Sequence, residues 1–175
     1  MIYLCSFEYF PIKDGGLARH AKEIIDRLIK KDEKYRGIIA TPKNFNGNLH
    51  KRIDVIKVRF FNNTYLSYLE FSLKLFFRYI LKQKEPQFIF FSLFSCFLIV
   101  KLPQNFSFFI HNTAERVYIT DYSGESFSKR LIRKIIYYFL YHWEEFLSKK
   151  ANTIFVVSES TKQDVISQYK INKDK

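Results

Sequence analysis

Ile2-Tyr3-Leu4-Cys5-Ser6 is an apolar run that breaks into Phe7-Glu8-Tyr9-Phe10-Pro11-Ile12-Lys13-Asp14-Gly15-Gly16 and resumes as Leu17-Ala18-Arg19-His20 with helical spacing. The chain therefore opens as strand, glycine turn and helix. Paired glycines let a backbone approach a ligand with no Cβ in the way, and the free N–H groups at the start of the next helix carry partial positive charge. The same string also suits an ordinary strand-to-helix connection. If the first reading holds, Gly15, Gly16, Arg19 and His20 are the candidates for binding a phosphorylated ligand.

Outward from this unit the pattern repeats. Strands are expected at 2–6, 37–41, 53–60, 88–92, 106–111 and 153–157, and helices at 16–32, 65–83, 95–102, 126–150 and 160–169. Strands alternating with helices predict an α/β fold, a Rossmann-like and mostly parallel sheet flanked by helices. In such sheets ligands bind beyond the carboxyl ends of the strands. The Gly15-Gly16 loop, His111 with Asn112, and Ser158 all fall at such ends. The segments at 37–41 and 53–60 have no helix between them, which implies an antiparallel or edge pairing. The apolar window Phe88 to Val100 is shorter than the roughly 20 residues of a membrane-spanning helix. It reads as a buried strand, a turn and an apolar helix between Pro86 and Pro103.

Three landmarks in order resemble a known family. Glu8-Tyr9-Phe10-Pro11 with Gly15-Gly16-Leu17 and Arg19-His20 is similar to the start of family 4 glycosyltransferases of the GT-B fold. Phe108-Phe109-Ile110-His111-Asn112 is similar to that family's strand ending in a histidine that faces the cleft between domains. Ala151 to Lys162, with Phe155-Val156-Val157-Ser158, resembles the last strand of its N-terminal domain and the helix after it. The resemblance implies that residues 1–175 are one domain, the acceptor-side half of a retaining transferase that moves a sugar from a nucleotide-diphosphate sugar to a saccharide, such as an envelope polysaccharide, or to a lipid-linked acceptor. It also implies that the C-terminal donor-binding domain is absent here, because the family's glutamate pair eight positions apart has no counterpart. On this expectation the chain is a truncated product or one part of a split enzyme. It would then be inactive or nearly so unless a separate C-terminal polypeptide binds the donor. The nucleotide-diphosphate sugar would be a co-substrate, and no cofactor is implied.

Composition bounds the remaining chemistry. With 47% hydrophobic residues, five glycines and four prolines there is no room for a long disordered segment. Cys5 and Cys96 lie in apolar runs and read as buried free thiols. No GxGxxG, Walker A, HExxH, GxSxG or Asp-x-Asp pattern occurs, so no metal site is expected. The N-terminus has no basic lead before its apolar stretch, which favours a cytoplasmic location.

Against 17 acidic residues stand 29 Lys and Arg, a net charge of +12 that calls for anionic partners. Lys129, Arg130, Arg133 and Lys134 share a helix with Leu131, Ile132, Ile135, Ile136 and Phe139, and such a helix can lie on an anionic membrane or contact the acceptor. Tyr65 to Leu81 is a second segment of this kind. Both also suit ordinary helices packed on a sheet. A non-catalytic basic module for anionic membrane or acidic polymer, peripheral at the inner membrane face, is the alternative function. Nucleic acid is not expected, since the aromatics sit inside apolar runs and no recognition motif accompanies them.

His111 is the candidate catalytic residue, placed by the resemblance to orient donor sugar or acceptor. Its general-base role is the weaker one, because retaining transfer relies on an electrophilic donor and a stabilised leaving phosphate. A histidine satisfied by a loop carbonyl is the plain alternative. Glu115 and Arg116 read as a solvated loop. Ser158 and Ser160 read mainly as helix caps, Ser160 with Gln163 matching a capping box, and Ser158 is also a candidate ligand contact.

Overall fold

In the computed structural model, β1 (Ile2–Ser6) is paired in parallel on both flanks, with β2 (Tyr35–Pro42) on one side and β4 (Gln87–Phe90) on the other. β3 (Ile53–Val58) continues the sheet beyond β2, and β5 (Asn105–Ile110) continues it beyond β4, again in parallel. Strand order here is β3-β2-β1-β4-β5. The structure describes residues 1–59, 64–81, 87–92, 95, 105–114, 127–172 and 174, without side chains at 64, 65, 127–130, 132 and 133. Two compact units make up the chain, Met1–Phe109 and Ile110–Lys175.

The first unit is a sheet covered on both faces, which is why its strands lack a polar side. Even-numbered positions of β1 face helix α1 (Gly16–Lys31): Leu4 joins Ile39, Ile53 and Phe91 in one cluster with Ala21, Ile25 and Ile29. Those helix positions, with Ala18, recur at the three- and four-residue spacing of an amphipathic helix. Odd-numbered positions face α2 (Thr64–Leu75) and the π-helical turn Phe76–Ile80 that continues it. Tyr3 stacks on Phe88 and meets the edge of Tyr79, and Phe7 packs edge-on against Phe71. Phe71 and Leu75 are fully buried, so these residues of the second aromatic segment are core rather than membrane contacts. The π turn carries the buried stripe from Leu75 to Ile80, a five-residue step that an α-helix would misalign.

The β2–β3 pairing corrects the expectation of an antiparallel link. β3 is an edge strand, but it runs parallel to β2, with Gly37 opposite Ile53 and Pro42 opposite Val58. An extended chain covers about 3.3 Å per residue, so residues 43–52 are long enough to run back along a six-residue strand without a helix. Gly37 matters at this seam: a Cβ there would lie 3.1 Å from Ile25 Cγ2 and 3.2 Å from Ile53 Cγ1.

The second unit carries α3 (Phe127–Lys150), β6 (Thr153–Val156) and α4 (Glu159–Tyr169). Its anchor is the Glu144 carboxylate, only 3% exposed, which accepts the Ala114 N–H at 2.8 Å and the Tyr169 hydroxyl. The Tyr141 hydroxyl donates to the Gln168 carbonyl at 3.1 Å beside it. Burial pushes the Glu144 pKa up to about 7 against the pull of those two donors, and burial also raises that of Tyr169. Of the expected elements, the helix at 95–102 lies outside the described residues except for Ser95, as do Cys96, Glu115 and Arg116. Cys5 is buried and outside any disulfide.

Gly37→Ala is expected to lower stability measured by urea unfolding, and in a double-mutant cycle its cost should shrink in an Ile25→Ala background, which removes the Cγ2 methyl at that contact. Glu144 titrates differently folded and unfolded. The folded unit keeps its proton up to about pH 7, whereas the unfolded chain loses it near 4.5. The Glu144 contribution to stability is therefore full below about pH 4.5 and is lost, on the order of 3 kcal/mol, as pH rises from there to about 7. Unfolding curves across that window should show the slope, and Glu144→Gln should flatten it.

Candidate functional site at the carboxyl edge of the sheet

The loop after β1 leaves the sheet at its carboxyl edge and is tied down at several points. Phe91 N–H donates to the Cys5 carbonyl at 2.9 Å, and Phe7 N–H to Ser95 Oγ at 3.2 Å, which in turn lies 3.0 Å from Ser92 Oγ. Ser6 Oγ closes on the Glu8 carbonyl. Tyr9, buried, donates its hydroxyl to Asp26 of α1 at 2.5 Å, and burial followed by that carboxylate raises its pKa. These bonds fix the path of the chain into α1.

Glu8 is the polar centre of this loop. Tyr68 of α2 donates to Glu8 Oε1 at 2.6 Å, and Lys13 Nζ stands 3.5 Å from the same oxygen. Lys13 also lies 4.8 Å from the centre of the Phe7 ring and 5.3 Å from that of Tyr68, within cation–π range. A half-exposed carboxylate between aromatic walls can accept hydrogen bonds from ligand hydroxyls. Glu8 was visible in the sequence only as part of a string, and its partner Tyr68, sixty positions on, carried no signal.

At the glycine turn, Gly15 caps α1 with φ 134° and ψ 162°, a region that only glycine enters without strain. No side chain caps the helix there. Asp14 fills part of that role: it accepts the Gly15 N–H at 2.8 Å and the Arg19 guanidinium at 3.2 and 3.0 Å. The Gly15 N–H, then Arg19, hold its carboxyl below the usual carboxylate range. The positive end of α1 thus already has an anion of its own, and Arg19 is engaged with it. Cβ atoms placed on Gly15 or Gly16 would meet nothing within 4 Å. His20, one turn into α1, meets the edge of Phe109 at 5.7 Å, and Phe109 stacks on Phe91 at 4.7 Å. The structure therefore brings Gly15, Gly16, Arg19 and His20 together, with His20 against the end of β5.

A profile of Glycosyltransferase Family 4 matches residues 14–175, from the glycine turn through α4. The chain belongs to this family. No curated protein matches it.

His111 and Asn112 directly follow the last residue of β5, His111 half-buried and Asn112 exposed. Ser158 is the N-cap of α4, accepting the Thr161 N–H at 3.1 Å with its hydroxyl 2.9 Å from that of Thr161. The cap is thus Ser158 rather than Ser160, and Gln163 bonds Glu159 at 2.9 Å instead of closing a capping box. Lys134 is exposed on α3, while the side chains of Lys129, Arg130 and Arg133 lie outside the described residues. Among the described residues, no group of three His, Cys, Asp or Glu side chains could hold a metal ion.

Gly15→Ala should lower the melting temperature, by about 1–3 kcal/mol of stability, since alanine is strained at that φ and ψ. Gly16→Val should leave it nearly unchanged, because the space beside Gly16 is open and its backbone is helical. Thermal unfolding of both variants separates a conformational requirement at Gly15 from a spatial one at Gly16.

Proposed function

We propose that residues 1–175 form the acceptor-side half of a retaining glycosyltransferase, which takes a sugar from a nucleotide-diphosphate sugar and passes it to a saccharide or lipid-linked acceptor of the cell envelope at the cytoplasmic face. The match to glycosyltransferase family 4 over residues 14–175 carries this reading. It is supported by a parallel sheet whose glycine turn lies at the carboxyl edge, the side where such folds bind ligands.

Charge accounting supports the acceptor role over a donor role. Lys13 is paired with Glu8, Arg19 with Asp14 and Lys22 with Asp26, so the cations around the glycine turn are matched by carboxylates. A departing nucleoside diphosphate needs positive groups aimed at it in the transition state. In this proposal those groups come from a second domain, on the same or a separate polypeptide. On the first unit, Glu8 and Tyr68 would receive acceptor hydroxyls and Gly16 would leave room for a ligand to approach the backbone; on the second, His111 and Asn112 would orient a reacting sugar.

The test is release of nucleoside diphosphate from a panel of nucleotide-diphosphate sugars, by the chain alone and with a donor-binding domain supplied in trans. Transfer should require the second domain, His111→Ala should lower kcat by about a hundredfold, and Gly16→Val should abolish turnover while the protein stays folded. Equal turnover by residues 1–175 alone, or full activity in Gly16→Val, would overturn the reading.

A further inference from the structure

Helix α3 turns an apolar face outward. Glu144, Leu147 and Ser148 are buried on one side, yet Leu131, Ile135, Tyr138, Phe139 and Phe146 are exposed, Ile135 by 63% and Tyr138 by 65%. At about 100° per residue these five, with exposed His142, fall within an arc of roughly 100° on the side opposite the buried residues. Between Leu131 and Phe146 the stripe is about 22 Å long. Exposed apolar residues scattered singly are ordinary, but an aligned row of five is a contact surface.

The charges around the row decide what it contacts. Lys134 is exposed beside it, and Lys150 is exposed at its C-terminal end. Glu145, the acid on this side of the described helix, is taken up by Lys149 at 2.6 Å and faces His142 at 3.4 Å. A second copy of this chain would bring another +12 of charge to the interface. An acidic polymer would meet the lysines but leave the apolar row in water. A bilayer with anionic lipid meets both, with acyl chains under the row and phosphates beside the lysines. No helix among the described residues is long and apolar enough to cross a membrane, so the contact is lateral. The row Leu66, Leu73, Phe77 and Leu81 on α2 and the turn after it is also exposed, but its Lys74 is held by Glu70 and by the Lys57 carbonyl.

We infer that the exposed face of α3, from Leu131 to Phe146, docks this protein on the surface of a bilayer containing anionic phospholipid. The inference rests on the surface of α3 and is independent of whether the sheet edge transfers sugar.

The whole chain is tested by co-sedimentation with vesicles of phosphatidylcholine alone and of phosphatidylcholine mixed with phosphatidylglycerol. Binding should require the anionic lipid and fall steeply with added salt. Trp143, the one tryptophan in the chain, stacks on Phe146 and reports the contact by a blue shift of its fluorescence. Ile135→Asp with Phe139→Asp should weaken binding at least about tenfold with an unchanged far-ultraviolet circular dichroism spectrum. Lys134→Gln with Lys150→Gln should reduce binding toward the level seen with phosphatidylcholine alone. Wild-type binding by the Asp variant would overturn the inference. So would a dimer, seen by light scattering, that forms without vesicle binding and is dissolved by the same variant.

Discussion

β1 is held from every direction: bonded to a parallel strand on each flank, covered by α1 on one face and by α2 on the other. A strand in that position has no freedom to tilt or slip, because a shift by one residue would exchange Leu4 with Tyr3 or Cys5 and place each against the wrong helix. Its exit is equally fixed. The chain leaves at Ser6 onto the carboxyl edge, and Phe7, Tyr9 and Glu8 are fastened to Ser95, Asp26 and Tyr68 in turn. The candidate site is thus a rigid rim rather than a loose loop, and its shape follows from burial of the strand beneath it.

Electrostatics at that rim are more nearly balanced than the whole chain suggests. Around the glycine turn, carboxylates of Glu8, Asp14 and Asp26 answer Lys13, Arg19 and Lys22. These exposed or half-exposed pairs add little to stability, but they set the local potential, and a polyol suits such a surface better than a diphosphate does. On α3, by contrast, exposed lysines flank an apolar row, a pairing of hydrophobic and positive surface that fits a lipid boundary. The two surfaces belong to different units and draw on different physics, hydrogen bonding at one and desolvation at the other.

Buried polar groups specify the structure where apolar packing would leave choices. Glu144 selects one arrangement of Ala114, α3 and α4 because only there do its oxygen atoms find donors. Tyr79, half-buried within the π turn, has its pKa pushed up to about 12 by burial and by Asp54. Neither could be found in the sequence. Glu144-Glu145 reads as a pair of solvated helix carboxylates, and nothing local distinguishes the buried one from the one that meets Lys149.

The parallel α/β class, the glycine turn and, among the described residues, the strand and helix positions were legible in the amino-acid order, because hydrophobic period and backbone propensity act over a few residues. β1, α1 and the long helix ending at Lys150 lie within a residue of where the pattern puts them. The family resemblance was legible too, since its strings are contiguous. Tertiary structure alone decided that β3 runs parallel, that Tyr68 completes Glu8, that Ser158 rather than Ser160 caps α4, and which side of α3 faces water. Period tells a residue that it has a buried face, but the partner on that face comes from elsewhere in the chain, and only packing brings it there.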